Sequence, residues 1–232
     1  MVFVLYYPLI HIFLPLKGVK IINILTPNEI RQYYKAATQR YSNEKLKYRL
    51  GYGLVLILFT GLRLGEALGL QWEDVDFENR TLSVECTQQY VKNRNAKNDS
   101  NNYIFVEGTT KTVSSERVLP LNQMALKALH EIKKINGQFK FVFSNSKGNL
   151  IMIRNLNRMH DNILESARLK HIGVHALRHT FASQLFANGV NVKVVSKLLG
   201  HSEVGITYNT YIHLLKEDMP SATDSLDKIM SA

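Results

Sequence analysis

The sequence predicts a mainly α-helical fold with a small antiparallel β-sheet, an α+β arrangement. Three features predict it. Helical patterning with start and stop signals occupies residues 26–70. Residues 81–91, 103–106 and 117–121 are rich in β-formers and set apart by polar turns. Helical patterning then returns over 122–135 and again from 153 to 213. Hydrophobic residues make up 45% of the 232 residues and charged residues 21%, which excludes a disordered, collagen-like or coiled-coil chain.

Each element has a local reason. Residues 1–16, MVFVLYYPLIHIFLPL, are apolar and almost uncharged. They fall short of the ~20 residues a membrane helix needs, and Pro8 and Pro15 interrupt them. No basic segment precedes them and no small-residue cleavage site follows, so they do not read as a secretory signal. Residues 1–24 read as an apolar extension or linker remnant lying on the body. Thr26 can cap a helix, Pro27 fits its first position and Glu29 closes the capping box, with Leu25 and Ile30 placed to staple it. That helix runs to about Tyr41. The polar stretch 42–45 separates it from a helix over 46–59, whose lack of a polar face marks it as buried. Thr60-Gly61 breaks it, and a short helix spans 62–70.

In the middle, KNRNAKNDSNN is a polar loop between the first two strands. Helices follow over 122–135, 153–169, 174–188, 192–199 and 204–213. Residues 139–143 are a further strand candidate and 144–149 a turn; Gly189 and Gly200 suit helix C-caps. No internal repeat or long linker divides the chain.

Charge and cysteine usage narrow the partner. Lys and Arg total 29 against 19 Asp and Glu, a net charge of +10. Such a surplus suits a polyanion, nucleic acid above all. The single cysteine, Cys86, excludes an internal disulfide and a multi-cysteine zinc site and fits a reducing compartment such as the bacterial cytoplasm.

Several short segments carry residues fit for chemistry on phosphate. Arg63 follows a helix break, and Glu66 lies three residues on, close enough to hold its guanidinium; a surface ion pair has the same pattern. His175 and Arg178, three apart on a helix, point the same way. An Arg fork matches two phosphate oxygens and a His can move a proton near neutral pH, although a basic solvated face looks alike. His171, His175 and His179 recur every four residues and invite a metal reading. Gly173 takes His171 out of helical register, no carboxylate occupies the position an HExxH site needs, and Arg178 would stand beside the ion. No metal site and no cofactor are therefore expected. His201 follows Gly200 at a helix start, where it could also cap or pack. Tyr208 and Tyr211 lie close behind; a tyrosine can be a covalent nucleophile, or simply a packing residue. Lys111 sits at a turn between two strands, where a lysine can reach and protonate a leaving oxygen.

In this order the segments resemble the catalytic domain of the tyrosine recombinases, in the phage-integrase branch. The carriers are T-G-L-R-L-G-E-A-L-G-L, K-T-V-S-S-E-R-V-L-P-L, H-A-L-R-H-T-F-A-S, L-G-H-S and T-Y-N-T-Y-I-H. The match spans residues 25–213 and implies the tyrosine-recombinase catalytic-domain fold over them. It implies roles as well. Arg63 and Arg178 would clamp the scissile phosphate, with Glu66 supporting the first. Tyr211 would attack, because the family pattern is Tyr, one residue, then His, and here that is Tyr211-Ile212-His213. Lys111 would protonate the leaving 5′-oxygen, His175 would assist proton transfer from the nucleophile, and His201 would donate a hydrogen bond to a phosphate oxygen.

The implied enzyme is a site-specific DNA recombinase or integrase that cleaves and rejoins duplex DNA through a 3′-phosphotyrosyl link, in integration or excision of a mobile element. It would act without metal or cofactor, as a homo-oligomer (a tetramer) on double-stranded DNA, in the cytoplasm, off the membrane, and with a directionality factor as a further partner. Residues 214–232 read as a weakly helical tail, which in this family often packs on a neighbouring protomer. Family members usually carry an N-terminal helical domain that grips the other face of the duplex, and 24 residues before Leu25 are too few for it. The alternative is a catalytically incompetent DNA-binding remnant of an integrase lacking that core-binding domain. A metal-dependent nuclease built on the histidines is the other rival.

Overall fold

Thr26 caps the first described helix as its sequence context predicts. Its hydroxyl accepts from the Glu29 N–H at 3.3 Å, while the Glu29 carboxylate accepts from the Thr26 N–H at 2.8 Å. The computed structural model describes residues 23–92, 103–109 and 116–211. In chain order these contain α1 (Pro27–Ala37), α2 (Gly51–Thr60), α3 (Leu64–Gly69), a single turn of 3₁₀ helix (Trp72–Asp74), β1 (Val75–Asp76), β2 (Thr81–Val84), β3 (Cys86–Lys92), β4 (Tyr103–Thr109), β5 (Arg117–Pro120), α4 (Gln123–Asn136), α5 (Ile153–Ser166), α6 (His175–Ala187), α7 (Val192–Leu199) and α8 (Val204–Tyr211). The mainly helical reading with a small antiparallel sheet holds.

α2, GYGLVLILFT, has no charged residue and is buried on nearly every side. A helix apolar all round belongs at a centre, and α1, α4, α5 and α6 pack around it. The main core draws on all of these helices and on Leu82, Val84 and Leu119 of the sheet. A smaller apolar cluster of Ala182, Phe186, Val195, Leu199 and Tyr211 joins α6, α7 and α8.

Two buried polar ties set the position of α6. The Tyr33 hydroxyl lies 2.7 Å from His160 Nδ1, and His160 Nε2 lies 2.9 Å from the Ile172 carbonyl just before α6. Burial lowers the His160 pKa, so the neutral ring donates to that carbonyl and accepts from the phenol. The Leu25 N–H donates to Thr180 Oγ1 of α6 at 3.0 Å.

The sheet departs from the expected single unit. The predicted strand over 81–91 divides at Glu85 into β2 and β3. β2 lies between β1 and β5 in one antiparallel sheet, pairing Leu82 with Leu119 and Val84 with Arg117. β3 and β4 form a second ladder from Cys86↔Thr109 to Lys92↔Tyr103. The helix expected over 46–59 starts only at Gly51. Residues before it are spent on a chain reversal: the Tyr41 N–H donates to the Lys45 carbonyl at 2.9 Å, Glu44 is left-handed with φ 62°, and Arg40 bridges Leu46. The strand candidate at 139–143 is a buried crossing. Phe141 pairs only with Gln71, and Val142 and Phe143 sit fully buried, so the β-rich composition reflects burial. Among the described residues no helix is long and apolar enough to cross a membrane. The readings of residues 1–22, of the loop tip at 93–102, of Lys111 and of the tail beyond Tyr211 lie outside the described residues.

Candidate active site

The site is organised by the end of α7. Gly200 caps that helix in the left-handed region at φ +65°, and a helix end leaves its last carbonyls without helical partners and slightly negative. Three arginines take three consecutive carbonyls. Arg117 Nε donates to Leu198 at 2.8 Å, Arg178 Nη2 to Leu199 at 2.7 Å and Arg63 Nη2 to Gly200 at 2.9 Å. A Cβ on residue 200 would meet Arg117 Nη1 at 2.7 Å, so glycine is required there twice over, for φ and for space.

Glu66 sits beneath two of these arginines and is 3% exposed. It takes Arg117 as a fork, Nη1 to Oε1 at 3.0 Å and Nη2 to Oε2 at 2.9 Å. It also accepts Arg63 Nη1 and the Arg63 backbone N–H, both at 2.8 Å. Burial pushes its carboxyl pKa up, but Arg117 and Arg63 outweigh that and hold it at about 2. A carboxylate this buried is stable only when so fully matched.

Arg178 enters from α6 and is 3% exposed. Its Nη1 donates to the Gly61 carbonyl at 2.7 Å. Gly61 is the left-handed cap of α2, and a Cβ there would meet the Phe181 ring at 2.4 Å. Burial and the Arg63 cation lower Arg178 to about 9, which leaves it protonated at neutral pH. Its Nη2 also lies 3.1 Å from His201 Nε2, while His201 Nδ1 lies 2.7 Å from Thr207 Oγ1 of α8. An arginine can only donate. His201 Nε2 is therefore the acceptor, and Nδ1–H donates to Thr207. Burial, then Arg178 and Arg63, hold the His201 pKa at about 4, so this ring is neutral at pH 7. Burial and the same two arginines lower the His175 pKa as well.

The tyrosine side is built differently. Tyr211, at the end of α8, is 1% exposed, whereas Tyr208 three residues earlier is 46% exposed. The Tyr211 hydroxyl lies 2.7 Å from His179 Nδ1 on α6. The His175 ring meets the His179 ring edge-on, with centroids 4.7 Å apart. Phe186 packs on the Tyr211 ring at 5.4 Å. Burial raises the Tyr211 pKa to about 12, against the pull of Arg178.

Of the residues singled out in the sequence, Arg63, Glu66, Arg178 and His201 thus fall into one hydrogen-bonded cluster. His175 borders it and Tyr211 is seated against α6. Lys111 is outside the described residues. His171 turns to Asp161 at 3.0 Å and is largely exposed, so the three histidines do not converge; among the described residues no group of three or more His, Cys, Asp or Glu side chains could hold a metal.

Sequence reasoning missed three members, Arg117, His179 and Thr207. A signal for Arg117 was present. Alternation on β5 points Leu119 inward and Val118 outward, with Val118 62% exposed, so Arg117 shares the inward face. His179 had its signal in lying one helical turn after His175.

The sequence profile of the phage integrase family matches residues 23–218. A tyrosine recombinase, XerC-like, of Caldanaerobacter subterraneus subsp. tengcongensis is 32% identical over 93% of this chain and 60% of its own length. The integrase of Staphylococcus phage L54a is 28% identical over 74% of this chain and 49% of its own length. This chain therefore spans between about half and 60% of these curated relatives. Among solved structures, the Tn1549 transposon integrase in complex with circular intermediate DNA superposes with a TM-score of 0.70 at 24% identity, over 91% of this chain and 68% of that one. XerA recombinase superposes with a TM-score of 0.62 at 18% identity, over 92% of this chain and 65% of that one. At these identities the structural likeness speaks for the fold.

Proposed function

The chain belongs to the phage integrase family, and from that premise we propose that it breaks and rejoins duplex DNA as the catalytic part of a tyrosine recombinase, in integration or excision of a mobile element. The observation that carries this reading is the arginine cluster. Three guanidinia are locked onto one turn of backbone, and the helix that supplies Arg178 also seats a tyrosine hydroxyl through His179.

In the proposed reaction Arg63 and Arg178 bind the non-bridging oxygens of the scissile phosphate and offset the charge of its transition state. Preorganised donors of this kind contribute roughly 3 kcal/mol each. The Tyr211 oxygen forms a bond to phosphorus as the bond to the 5′-oxygen breaks. Lys111 supplies the proton that oxygen needs, and His175 assists removal of the phenolic proton. His201 faces the same phosphate. In the free protein its Nε2 accepts from Arg178, and an anion between them favours the ring form that donates. The products are a 3′-phosphotyrosyl link and a 5′-hydroxyl, and the link conserves the bond energy for rejoining without ATP. Two arginines, two histidines, a lysine and a tyrosine supply every charge and proton the step requires, so no cofactor is called for.

The partner is double-stranded DNA, to which a net charge of +10 suits the chain. Synapsis of two duplexes calls for a tetramer, with a directionality factor as a further partner, and the reaction belongs in the cytoplasm with the DNA. The test is covalent capture. The protein is incubated with supercoiled plasmid carrying candidate element ends, chelator is added, and the reaction is quenched with detergent. The expected result is a protein–DNA adduct that survives chelator, is lost in Tyr211→Phe and persists in Tyr208→Phe. Salt-sensitive binding with no adduct on any end would point to the binding-only remnant.

A further inference from the structure

We propose that His179 is the base that takes the proton from the Tyr211 hydroxyl, with His175 standing behind it. The inference rests on the recombinase reading and adds a catalytic residue to it.

The geometry separates the two histidines. His179 Nδ1 lies 2.7 Å from the Tyr211 oxygen, the range of a hydrogen bond to a hydroxyl. His175 makes no such bond in this arrangement; its ring sits edge-on to His179 at 4.7 Å, on the side where Arg178 and Arg63 act on it. α6 therefore carries Arg178 for the phosphate and His179 for the nucleophile at consecutive positions. One helix thus bears both the phosphate ligand and the contact that seats the nucleophile, which ties their relative placement together.

Chemistry gives the arrangement its purpose. Tyr211 is 1% exposed, and a phenol so enclosed does not lose its proton to bulk water at neutral pH; burial holds it near 12. It needs an acceptor already in contact. In the step, the phenolic O–H proton passes to His179 Nδ1 as the oxygen bonds to phosphorus. The P–O5′ bond breaks, and the 5′-oxygen is protonated by the general acid assigned to Lys111. His179 is left as an imidazolium. Rejoining runs the transfers backwards, and His179 returns the proton to the tyrosine.

A hydrogen bond that merely seats Tyr211 would look the same at rest, so the test must separate seating from basicity. In His179→Asn the amide oxygen occupies the place of Nδ1 and accepts the hydroxyl, but it takes no proton. The full chain is used, on the nicked duplex with which the wild type forms its adduct, and the single-turnover rate of adduct formation is read. A second set carries 3,5-difluorotyrosine at position 211, a phenol acidic enough to need little help from a base. His179→Asn should slow adduct formation by ~10²-fold or more with unchanged thermal unfolding and DNA binding. Difluorotyrosine should restore most of the rate in His179→Asn and change the wild type little. His179→Gln replaces the Asn variant if the latter does not fold. A rate within threefold of wild type, or a slow rate that difluorotyrosine leaves untouched, overturns the proposal while the recombinase reading stands. No adduct from the wild type on any DNA overturns that reading, and this proposal with it.

Discussion

The arginine side and the tyrosine side of the site are held in opposite ways. Arg63, Arg117 and Arg178 are each fixed by at least two partners, among them three successive carbonyls at the end of α7 and one buried carboxylate. Tyr211 hangs on a single described hydrogen bond, to His179, and on a small apolar cluster apart from the main core. A phosphate clamp must keep its charges in place before substrate arrives, because reorganising them would forfeit their electrostatic effect. A nucleophile that bonds to phosphorus and later leaves it must move. The difference teaches that preorganisation by charge and hydrogen bonding has been concentrated on the clamp, while the attacking group is placed by packing and one hydrogen bond.

The largest expected break in that comparison comes from Glu66→Ala. It leaves Arg63 and Arg117 without their shared carboxylate and should cost ~3–5 kcal/mol in unfolding free energy, read from a denaturant titration. Acid should do the same gradually. The Glu66 carboxyl is held at about 2, below its ordinary 4.5, so its contribution is complete above 4.5 and is lost as pH falls from there towards 2. That contribution is about 3 kcal/mol. The difference in stability between the wild type and Glu66→Gln should shrink across that window in an acid unfolding series; a difference constant down to pH 2 would contradict the pairing.

Gly200→Ala sharpens the comparison. A left-handed alanine costs ~1–2 kcal/mol, and its Cβ pushes on Arg117. Adduct formation should fall further than stability does, since the carbonyl turn holds all three arginines; equal losses would mean the turn is only a helix cap. The smallest effect is expected from Tyr208→Phe. Tyr208 is 46% exposed, and a surface change of this kind stays within about 0.5 kcal/mol, with adduct formation retained.

Much of this was legible in the sequence, and the rest failed for physical reasons. The Thr26–Glu29 cap, the existence and burial of the apolar helix at the centre, and the glycine stops at 61 and 200 all follow from local chemistry. Arg63 with Glu66, and His175 with Arg178, were recognisable as motifs. What no local pattern could show is which carbonyls they seek, because Gly200 is 137 residues from Arg63. Arg117 was passed over because strand reading looks for apolar alternation, and a charged residue on the inward face reads as an end of the strand. His179 was read only as a metal candidate; its bond to Tyr211 spans 32 residues and needed the fold. The start of α2 was misplaced because Leu46 and Tyr48 pack, partly buried, against the core from a chain reversal, and apolar residues look alike in helices and in reversals.

The most direct measurement is to find the atom that carries the DNA. The covalent adduct is trimmed with nuclease, digested with protease and sequenced by mass spectrometry. The expected result is one nucleotide joined through its 3′-phosphate to Tyr211, with a 5′-hydroxyl on the released strand. A nucleotide on Tyr208 or on any other side chain, or a 5′-phosphoryl link, would contradict the assignment of the clamp and its nucleophile.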